Sequence, residues 1–238
     1  MERVLSKRVT DPGNPHHPLE WRGDEPVSQL FGDTFYSTED GRSETAYVFL
    51  QGNLVPARWE GRDAFTIGEL GFGTGLNFLE TWRVWRKTRV PGQNLFFQSV
   101  EAFPLSEHAM AKAHQRWPEL TDLAEQLRSV WHACRQGVVE LDDQTMLQVT
   151  EAPVEQALVA WQRPVDAWYL DGFNPANNPE MWSPEVMHMV AGLSKTGATF
   201  ATYSAAGWVR RNLEEAGFEV RRSPGFGRKR HMLSGTKL

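Results

Sequence analysis

The chain has 238 residues, of which 40% are hydrophobic, and its formal net charge is −5 at pH 7. This length suits one domain, or one domain with an appendage, and the charge excludes a protein that is basic throughout. The single cysteine, Cys134, excludes an intrachain disulfide and a zinc site built from cysteines. With no apolar run of about 18 residues and no signal peptide at the N-terminus, we expect a cytoplasmic protein without membrane contact.

Residues 1–62 are predicted to form an N-terminal arm followed by a small antiparallel β extension. Residues 1–30 are rich in proline, glycine and charge without a clear period, which is typical of a loose arm. His16 and His17 are flanked by prolines and have no partner ligands nearby, so we interpret them as an exposed pair and predict no metal site. Three short runs between turn sequences are predicted to be strands: residues 33–37, 45–50 and 55–59.

Residues 63–238 are predicted to form an α/β domain with a doubly wound, mostly parallel sheet. Apolar strands alternate with amphipathic helices, which is the pattern of such a sheet. A serine and a proline at 183–184 predict the N-cap and first residue of one helix. A hairpin near the C-terminus predicts an antiparallel last strand. The predicted strands after the first are residues 95–101, 138–141, 146–149, 166–171, 198–204, 218–222 and 231–234.

The first strand of this domain ends in a turn with three alternating glycines, Gly71, Gly73 and Gly75, and an amphipathic helix follows. Glycines allow close approach of the backbone to a ligand, and the start of a helix offers free N–H groups to an anion. Leu76 stands where a dinucleotide fingerprint has its third glycine, and the lysine of a P-loop is missing. The pattern resembles motif I of the class I S-adenosylmethionine (SAM) methyltransferases, whose turn meets the amino-acid end of SAM.

Acidic residues stand at the ends of several predicted strands. Ligands of doubly wound sheets bind at the carboxyl ends of the strands, where Glu69, Glu101 and Asp171 lie. A carboxylate at Glu101, one strand after the glycine turn, can accept both hydroxyls of a ribose. Glu151 follows the predicted strand at 146–149. Its position is equally consistent with a contact to adenine and with a solvent-exposed acid that has no functional contact.

The stretch Asp171–Pro175 combines a carboxylate, a flexible glycine, the ring of Phe173 and a turn stiffened by proline. It resembles motif IV of amino-group methyltransferases, where such residues hold the target amine. An alkylamine with a pKa of about 10.4 is mostly protonated at neutral pH, so a carboxylate that orients the amine and accepts its proton helps methyl transfer. At a reference pKa of about 3.9 an aspartate is a weak base, so we expect orientation to matter more than basicity.

The C-terminal segment is strongly basic. From Arg210 onward, eight basic residues accompany three acidic ones, and Arg228, Lys229 and Arg230 stand in a row after a Gly-Phe-Gly turn. A basic patch on an acidic protein is typical of a surface that contacts a phosphate backbone. We therefore predict a nucleic acid as the partner.

Four segments together resemble the methyltransferase module of the MnmC family: residues 71–78, 117–120, 166–182 and 225–230. The resemblance runs from about residue 26 to about residue 235. It implies SAM-dependent methylation of 5-aminomethyl-2-thiouridine at the wobble position of tRNA, to the 5-methylaminomethyl form. The chain departs from the family pattern at two places. It has Thr150-Glu151 where the family often has Gly-Asp, and it has Phe35-Tyr36 where the family commonly has Tyr-Phe.

The resemblance also implies roles for individual residues. Asp171 is the implied catalytic acid, whereas Glu151 is predicted as an adenine contact only from its position after a strand. The SAM-site pattern of the family corresponds to Glu69, Gly71, Gly73, Gly75, Asn77 and Glu101, and we add Phe72 and Thr74 of the same turn to the predicted cofactor site. The predicted substrate site consists of Tyr36, Phe173, Asn174, Pro175, Arg228, Lys229 and Arg230.

Bifunctional members of the MnmC family carry a second, FAD-dependent oxidase domain. The sequence has no second glycine fingerprint, so we expect the oxidase to be absent, in either a stand-alone methyltransferase or an excised domain. Two other functions stay open. One is an oxidoreductase with a nucleotide cofactor, against which Leu76 argues, and the other is an RNA-binding module with an inactive SAM pocket, against which Glu101 and Asp171 argue.

Overall fold

The computed structural model describes residues 17–238, in which the strands form two sheets. The smaller sheet is antiparallel and comes first in the chain. Its strands lie in the order β1 (Leu19–Arg22), β2 (Glu25–Ser28) and β3 (Asp33–Thr34).

The larger sheet has eight strands in the order β10-β11-β9-β8-β4-β5-β7-β6. The pairs β4–β5, β4–β8, β5–β7 and β8–β9 are parallel, whereas β6, β10 and β11 pair antiparallel with their neighbours. This arrangement confirms the predicted fold class, including the antiparallel C-terminal strand. The bounds are β4 (Ala64–Leu70), β5 (Asn94–Val100), β6 (Val139–Asp142), β7 (Thr145–Thr150), β8 (Val165–Leu170), β9 (Ser194–Thr202), β10 (Phe218–Pro224) and β11 (His231–Lys237).

Helices cover both faces of the larger sheet, and two clusters of buried apolar side chains lie between the layers. The predicted cap is confirmed, since the Ser183 hydroxyl accepts the Val186 N–H at 3.2 Å and Pro184 begins the helix. None of the helices within residues 17–238 has the length and apolar character that a membrane crossing needs. The α-helices are α1 (Gly41–Thr45), α2 (Leu76–Thr88), α3 (Glu107–His114), α4 (Thr121–Ser129), α5 (Trp131–Gln136), α6 (Val154–Ala160), α7 (Pro184–Leu193) and α8 (Gly207–Glu215).

The strand predicted at 45–50 is wrong. The Asp40 carboxylate accepts the N–H groups of Arg42 and Ser43, α1 begins there, and a π-helix, Ala46–Gln51, continues it. Periodicity cannot separate a short buried helix from a buried strand when apolar residues follow one another, as they do at 48–50. Residues 55–59 form turns, and of the strand predicted at 33–37 only β3 is observed.

The loose arm predicted for residues 1–30 is also wrong where the structure describes it. β1 and β2 form a hairpin whose Leu19 and Trp21 are buried, and the Lys112 ammonium lies 3.9 Å from the centre of a Trp21 ring. His17 is 2% exposed, with Nε2 2.7 Å from Ser28 Oγ, so it is not an exposed residue. His16 lies outside the described residues.

The predicted division of the chain into residues 1–62 and 63–238 stays a prediction. Leu19 and Trp21 belong to the same buried cluster as Ile67 and Met232 from the large sheet. The small sheet therefore shares one buried cluster with the large sheet, and residues that follow β2 reach the carboxyl ends of the parallel strands.

Candidate active site

A cleft of about 1080 Å³ opens at the carboxyl ends of β4, β5 and β8. After β4 the chain builds one half of the sheet through β5 and β7, and it then returns to β8 on the other side of β4. Ligands of doubly wound folds bind at this reversal of strand order. The cleft walls are formed by the glycine turn after β4, the loops after β5 and β8, residues 31–45 and the turn between β10 and β11.

The three alternating glycines have positive φ angles of 83°, 55° and 78° at Gly71, Gly73 and Gly75. A Cβ at Gly71 would lie 3.3 Å from the Asp171 carbonyl oxygen, and one at Gly75 would lie 2.9 Å from the Phe72 ring. The Gly71 and Phe72 N–H groups donate to the carbonyl of Val100 at 2.9 Å and 3.1 Å. The turn is thus held tightly against the ends of β5 and β8, with the N-terminus of α2 directly behind it.

Glu101 joins the glycine turn to the loop after β5. Its carboxylate accepts the Gly73 N–H at 2.8 Å and the Phe103 N–H at 2.9 Å. Burial raises the pKa of Glu101, while these two hydrogen bonds act in the opposite direction. A partly buried carboxylate in the cleft wall has the chemistry to accept hydroxyl donors from a ligand.

The Asn77 side chain connects two of the predicted acids. Its amide nitrogen donates to Glu69 Oε1 at 3.0 Å and to Asp171 Oδ2 at 2.7 Å. Ser99 Oγ donates to the other oxygen of Glu69 at 2.6 Å, and Thr45 Oγ1 donates to Asn77 Oδ1 at 2.7 Å. Glu69 is fully buried beneath the turn and does not line the cleft, whereas Asn77 and Asp171 do.

Burial raises the pKa of Asp171 to about 7 and that of Glu69 to about 8. For Asp171, hydrogen bonds from Asn77 and from the Gly172 N–H, at 2.8 Å, oppose this effect. Glu44 raises the pKa of Asp171 further, and Lys229 lowers it. This pKa lies above the reference value of about 3.9 on which the expectation of a weak base rests, and the expectation that orientation matters more than basicity stays a prediction.

Aromatic rings from distant parts of the chain meet beside Asp171. The Phe173 ring stacks on Phe31, with centroids 4.7 Å apart, and Phe35 meets Phe173 edge-on at 5.1 Å. Asp33 Oδ2 accepts the Asn174 N–H at 2.9 Å and so ties the N-terminal segment to the loop after β8. Phe173, Asn174 and Pro175 line the cleft as a group.

Arg228, Lys229 and Arg230, which are predicted to act together, lie in different places relative to the cleft. The Lys229 ammonium lies 2.7 Å from the buried Glu44 carboxylate and 3.5 Å from the centre of the Tyr203 ring, inside the cleft. Arg228 is 94% exposed at the rim and forms an ion pair with Glu39 at 3.2 Å. Arg230 is exposed and lies outside the cleft wall.

Not every predicted residue faces the cleft. Glu151 is exposed and pairs with Arg135 at 2.7 Å, and the nearby cleft wall is formed by residues 153–156 instead. Tyr36 lines the cleft, but its hydroxyl donates to the Asp24 carbonyl at 2.9 Å. Gly75 supports the turn from behind.

Sequence reasoning missed several cleft residues that come from segments with the wrong predicted structure or from distant loops. Glu44, Thr45 and Tyr203 had no local signal, since no motif surrounds them. The aromatic run at 31–36 was a usable signal for the ring cluster. The missed residues of the cleft wall are Phe31, Asp33, Phe35, Glu44, Thr45, Phe103 and Tyr203. In the part of the chain that the structure describes, histidine, cysteine and acidic side chains form no group that is able to hold a metal ion.

The fold and cleft define a Rossmann-like methyltransferase architecture, and comparison with known proteins agrees. A family model described as S-adenosyl-L-methionine-dependent methyltransferase matches residues 118–238, and the chain belongs to this family. The family confirms the predicted cofactor, SAM, and the predicted class of enzyme.

The chain is also similar to proteins named tRNA 5-methylaminomethyl-2-thiouridine biosynthesis bifunctional protein MnmC. It is 46% identical to one from a Caulobacter species, with 91% of this chain and 37% of that protein covered. It is 44% identical to one from Aliivibrio fischeri, with 92% and 34% covered. The predicted resemblance is thereby confirmed, and the chain spans about a third of the length of these curated relatives.

The fold is similar to that of a solved structure, MnmC2 from Aquifex aeolicus. The two chains share 21% sequence identity and a TM-score of 0.71, over 95% of this chain and 72% of the other. At this identity the likeness concerns the fold.

The cleft fits SAM on its own geometry. The backbone at Gly73 faces the cleft, and a Cβ there would come within 3.2 Å of the Phe35 ring, so the space beside the turn is narrow. The start of α2 offers N–H groups and a positive dipole end to a carboxylate, and Glu101 offers a carboxylate to hydroxyls. These are the groups that an amino acid joined to a ribose requires.

We expect Gly73→Val to weaken SAM binding at least about tenfold, or about 1.4 kcal/mol. The two methyl groups would occupy the narrow space between the turn and Phe35. Calorimetric titration with SAM measures the effect. Gly92→Val is the matched control, because Gly92 also has a positive φ, of 89°, but a Cβ there meets nothing within 4 Å. Equal SAM affinity in the two folded variants would contradict the assignment of the turn.

Proposed function

We propose that the chain is an N-methyltransferase that converts 5-aminomethyl-2-thiouridine at the tRNA wobble position to 5-methylaminomethyl-2-thiouridine. The observation that carries the proposal is the position of Asp171, which lies between the glycine turn and the aromatic cluster and has a pKa of about 7. The printed name of the 46% identical relative supports the same product.

In this proposal, the glycine turn and the start of α2 hold the amino-acid end of SAM. Gly71, Phe72, Gly73, Thr74 and Asn77 face the cleft, and Glu69 and Gly75 support them from outside it. Glu101 accepts the ribose hydroxyls. Since Glu151 is paired with Arg135, we assign the adenine end to the wall formed by residues 153–156.

Asp171 orients the acceptor amine and takes up its proton. SAM supplies a methyl group that transfers by in-line displacement to a nitrogen lone pair. The acceptor amine, with a reference pKa of about 10.4, therefore has to lose a proton first. Burial of Asp171 roughly halves the difference between the pKa of the amine and that of the carboxyl group, so proton transfer becomes much less unfavourable. The proton then leaves to solvent through the cleft.

The uridine ring has a suitable place beside Asp171. Enzymes that modify a base take it out of the stack and hold it against aromatic side chains. Phe31, Phe35 and Phe173 form such a surface, and Asn174 and Pro175 continue the same wall. Tyr36 contributes a buried ring rather than a free hydroxyl. The aminomethyl arm of a base stacked there extends toward Asp171.

Phosphates flanking the base would lie at the rim of the cleft. Arg228 is exposed at this rim and Arg230 is exposed outside the cleft wall, whereas Lys229 pairs with Glu44. We therefore assign phosphate contacts to the two arginines and a role inside the cleft to Lys229. A tRNA substrate also favours the predicted cytoplasmic location.

The proposal covers the methyl-transfer step alone. The relatives named as bifunctional are about three times as long as the matched region, so their other activity is not assigned to these residues. Another activity, such as that of the FAD-dependent oxidase domain in bifunctional members of the MnmC family, has to supply the aminomethyl group.

The direct test is transfer of labelled methyl from SAM into tRNA from cells that lack this modification, followed by nucleoside analysis. Label in 5-methylaminomethyl-2-thiouridine supports the proposal, and tRNA that already carries this nucleoside is the control substrate. Label in a different nucleoside would overturn the substrate assignment. tRNA binding without transfer would favour an RNA-binding module with an inactive pocket.

For wild-type enzyme we expect kcat/KM to rise with pH through about 7 and then level off, as ionised Asp171 becomes available to the protonated amine. Asp171→Asn should lower kcat/KM about 10²-fold at neutral pH. In that variant, kcat/KM should keep rising toward the pKa of the amine, about 10.4, because only the neutral amine reacts. Asp143→Asn, at a side chain that is 84% exposed, is the control. A pH profile that is the same in both variants would assign the proton acceptor elsewhere.

Replacing Arg228 and Arg230 together with alanine should weaken tRNA binding and flatten its salt dependence. Each lost phosphate contact lowers the log–log slope by roughly 0.7 to 0.9. Binding is measured over a series of salt concentrations, with SAM affinity as a check on the cleft. Arg86→Ala with Lys87→Ala removes the same charge from the far end of α2 and should leave the slope unchanged. If both double variants show the wild-type slope, tRNA does not contact this rim.

A further inference from the structure

We propose that Thr45 is a positioning residue for methyl transfer, which fixes the Asn77 amide so that the amide holds Asp171 in its reactive orientation. The proposal rests on the proposed function in taking Asp171 as the proton acceptor. It assigns a role to α1, a helix that no sequence motif marks.

Thr45 is the last residue of α1 and is 2% exposed. Its hydroxyl lies 2.7 Å from Asn77 Oδ1, with the Gly41 carbonyl further away at 3.1 Å. Asn77 is the second residue of α2, directly after the glycine turn. The Thr45 hydroxyl is thus on the side of the amide opposite to Glu69 and Asp171.

The partners determine which way the amide faces. Both Glu69 and Asp171 present carboxyl oxygens at 3.0 Å and 2.7 Å, and an NH2 group is able to donate one hydrogen to each. The reverse orientation would bring the amide oxygen against the same two oxygens. The oxygen then faces Thr45, whose hydroxyl supplies a third hydrogen bond and fixes the plane of the amide.

Without the Thr45 hydroxyl, the buried amide oxygen would lose its donor. A buried acceptor without a partner raises the free energy of the present amide orientation. The amide would therefore rotate out of its present plane more readily. Rotation would weaken the hydrogen bond to Asp171, and the carboxylate would lose both an anchor and a donor. The effect would fall on turnover more than on SAM binding, since the glycine turn is untouched.

Other groups also face Asp171 and have to stay constant in a test. They are Glu44 from α1, Lys229 from the turn between β10 and β11, Glu69 from β4 and the phenol of Tyr203 after β9. None of them is changed by Thr45→Val, which matches threonine in shape and removes only the hydroxyl. Thr45→Ser keeps the hydroxyl and is the matched control.

The first measurement is single-turnover methyl transfer to tRNA. Thr45→Val should reduce the single-turnover rate constant about tenfold, with the dissociation constants of tRNA and SAM unchanged, and Thr45→Ser should restore most of the rate. Equal rates for the valine variant and wild type would overturn the inference. Equal losses in the valine and serine variants would also overturn it, since they would indicate a packing effect.

The second measurement does not depend on the methyl acceptor. In protein labelled with carboxyl-13C aspartate, the Asp171 signal is assigned by its loss in Asp171→Asn and followed against pH. Its titration midpoint should move upward in Thr45→Val, because the ionised form loses a donor, and stay at the wild-type value in Thr45→Ser. An unchanged midpoint in the valine variant would overturn the inference.

The two measurements separate the inference from the proposed function. If wild-type protein fails to methylate tRNA, the proposed function fails, and the titration still decides the role of Thr45. If the valine variant does not fold, Thr45→Ala compared with Thr45→Ser gives the same contrast between presence and absence of the hydroxyl.

Discussion

The close contact between the ends of β4 and β8 is the constraint on which the site depends. The two strands are direct neighbours in register, with Leu70 opposite Leu170, so the glycine turn and Asp171 emerge side by side. Gly71 has no Cβ, and one there would lie 3.3 Å from the Asp171 carbonyl oxygen. The glycine turn and the loop after β8 are thus too close for a side chain between them. In the proposed function they hold the cofactor and the acceptor, whose close approach methyl transfer requires.

The N-terminal segment completes the acceptor side of the cleft. Phe31, Phe35, Glu44 and Thr45 all come from it, and each faces a group that belongs to the large sheet or its loops. Hydrogen bonds from the loop after β8, such as that of Asn177 to the Phe31 carbonyl at 2.8 Å, hold the segment in place. A doubly wound sheet alone provides a cofactor site, and the added segment gives this fold an enclosed place for a second molecule.

The parts that sequence predicts well are those in which one local pattern has one structural outcome. The apolar strand that ends at Leu70, the turn of alternating glycines and the capped start of α7 are such patterns. Residues 45–50 are not, because a run of apolar residues suits a buried helix as well as a strand. The pairing of Lys229 with Glu44 joins residues 185 positions apart, and no spacing rule predicts it. The raised pKa of Asp171 has the same origin, since burial is a property of the assembled cleft.

The arrangement of charge in the cleft suits the reaction that we propose, in which a cationic cofactor and amine meet a polyanionic tRNA. The sulfonium of SAM and a protonated amine both favour carboxylates nearby, and Glu44, Glu101 and Asp171 line the interior of the cleft. Lys229 lies 2.7 Å from Glu44, which lowers the negative charge of the interior and would reduce its repulsion of the proposed tRNA substrate. Arg228 stands at the rim, outside these acids, where a phosphate reaches it without entering the cleft. Lys229 and Arg228 are adjacent in the turn between β10 and β11. The same turn therefore places one basic residue beside the acids of the interior and the other at the rim.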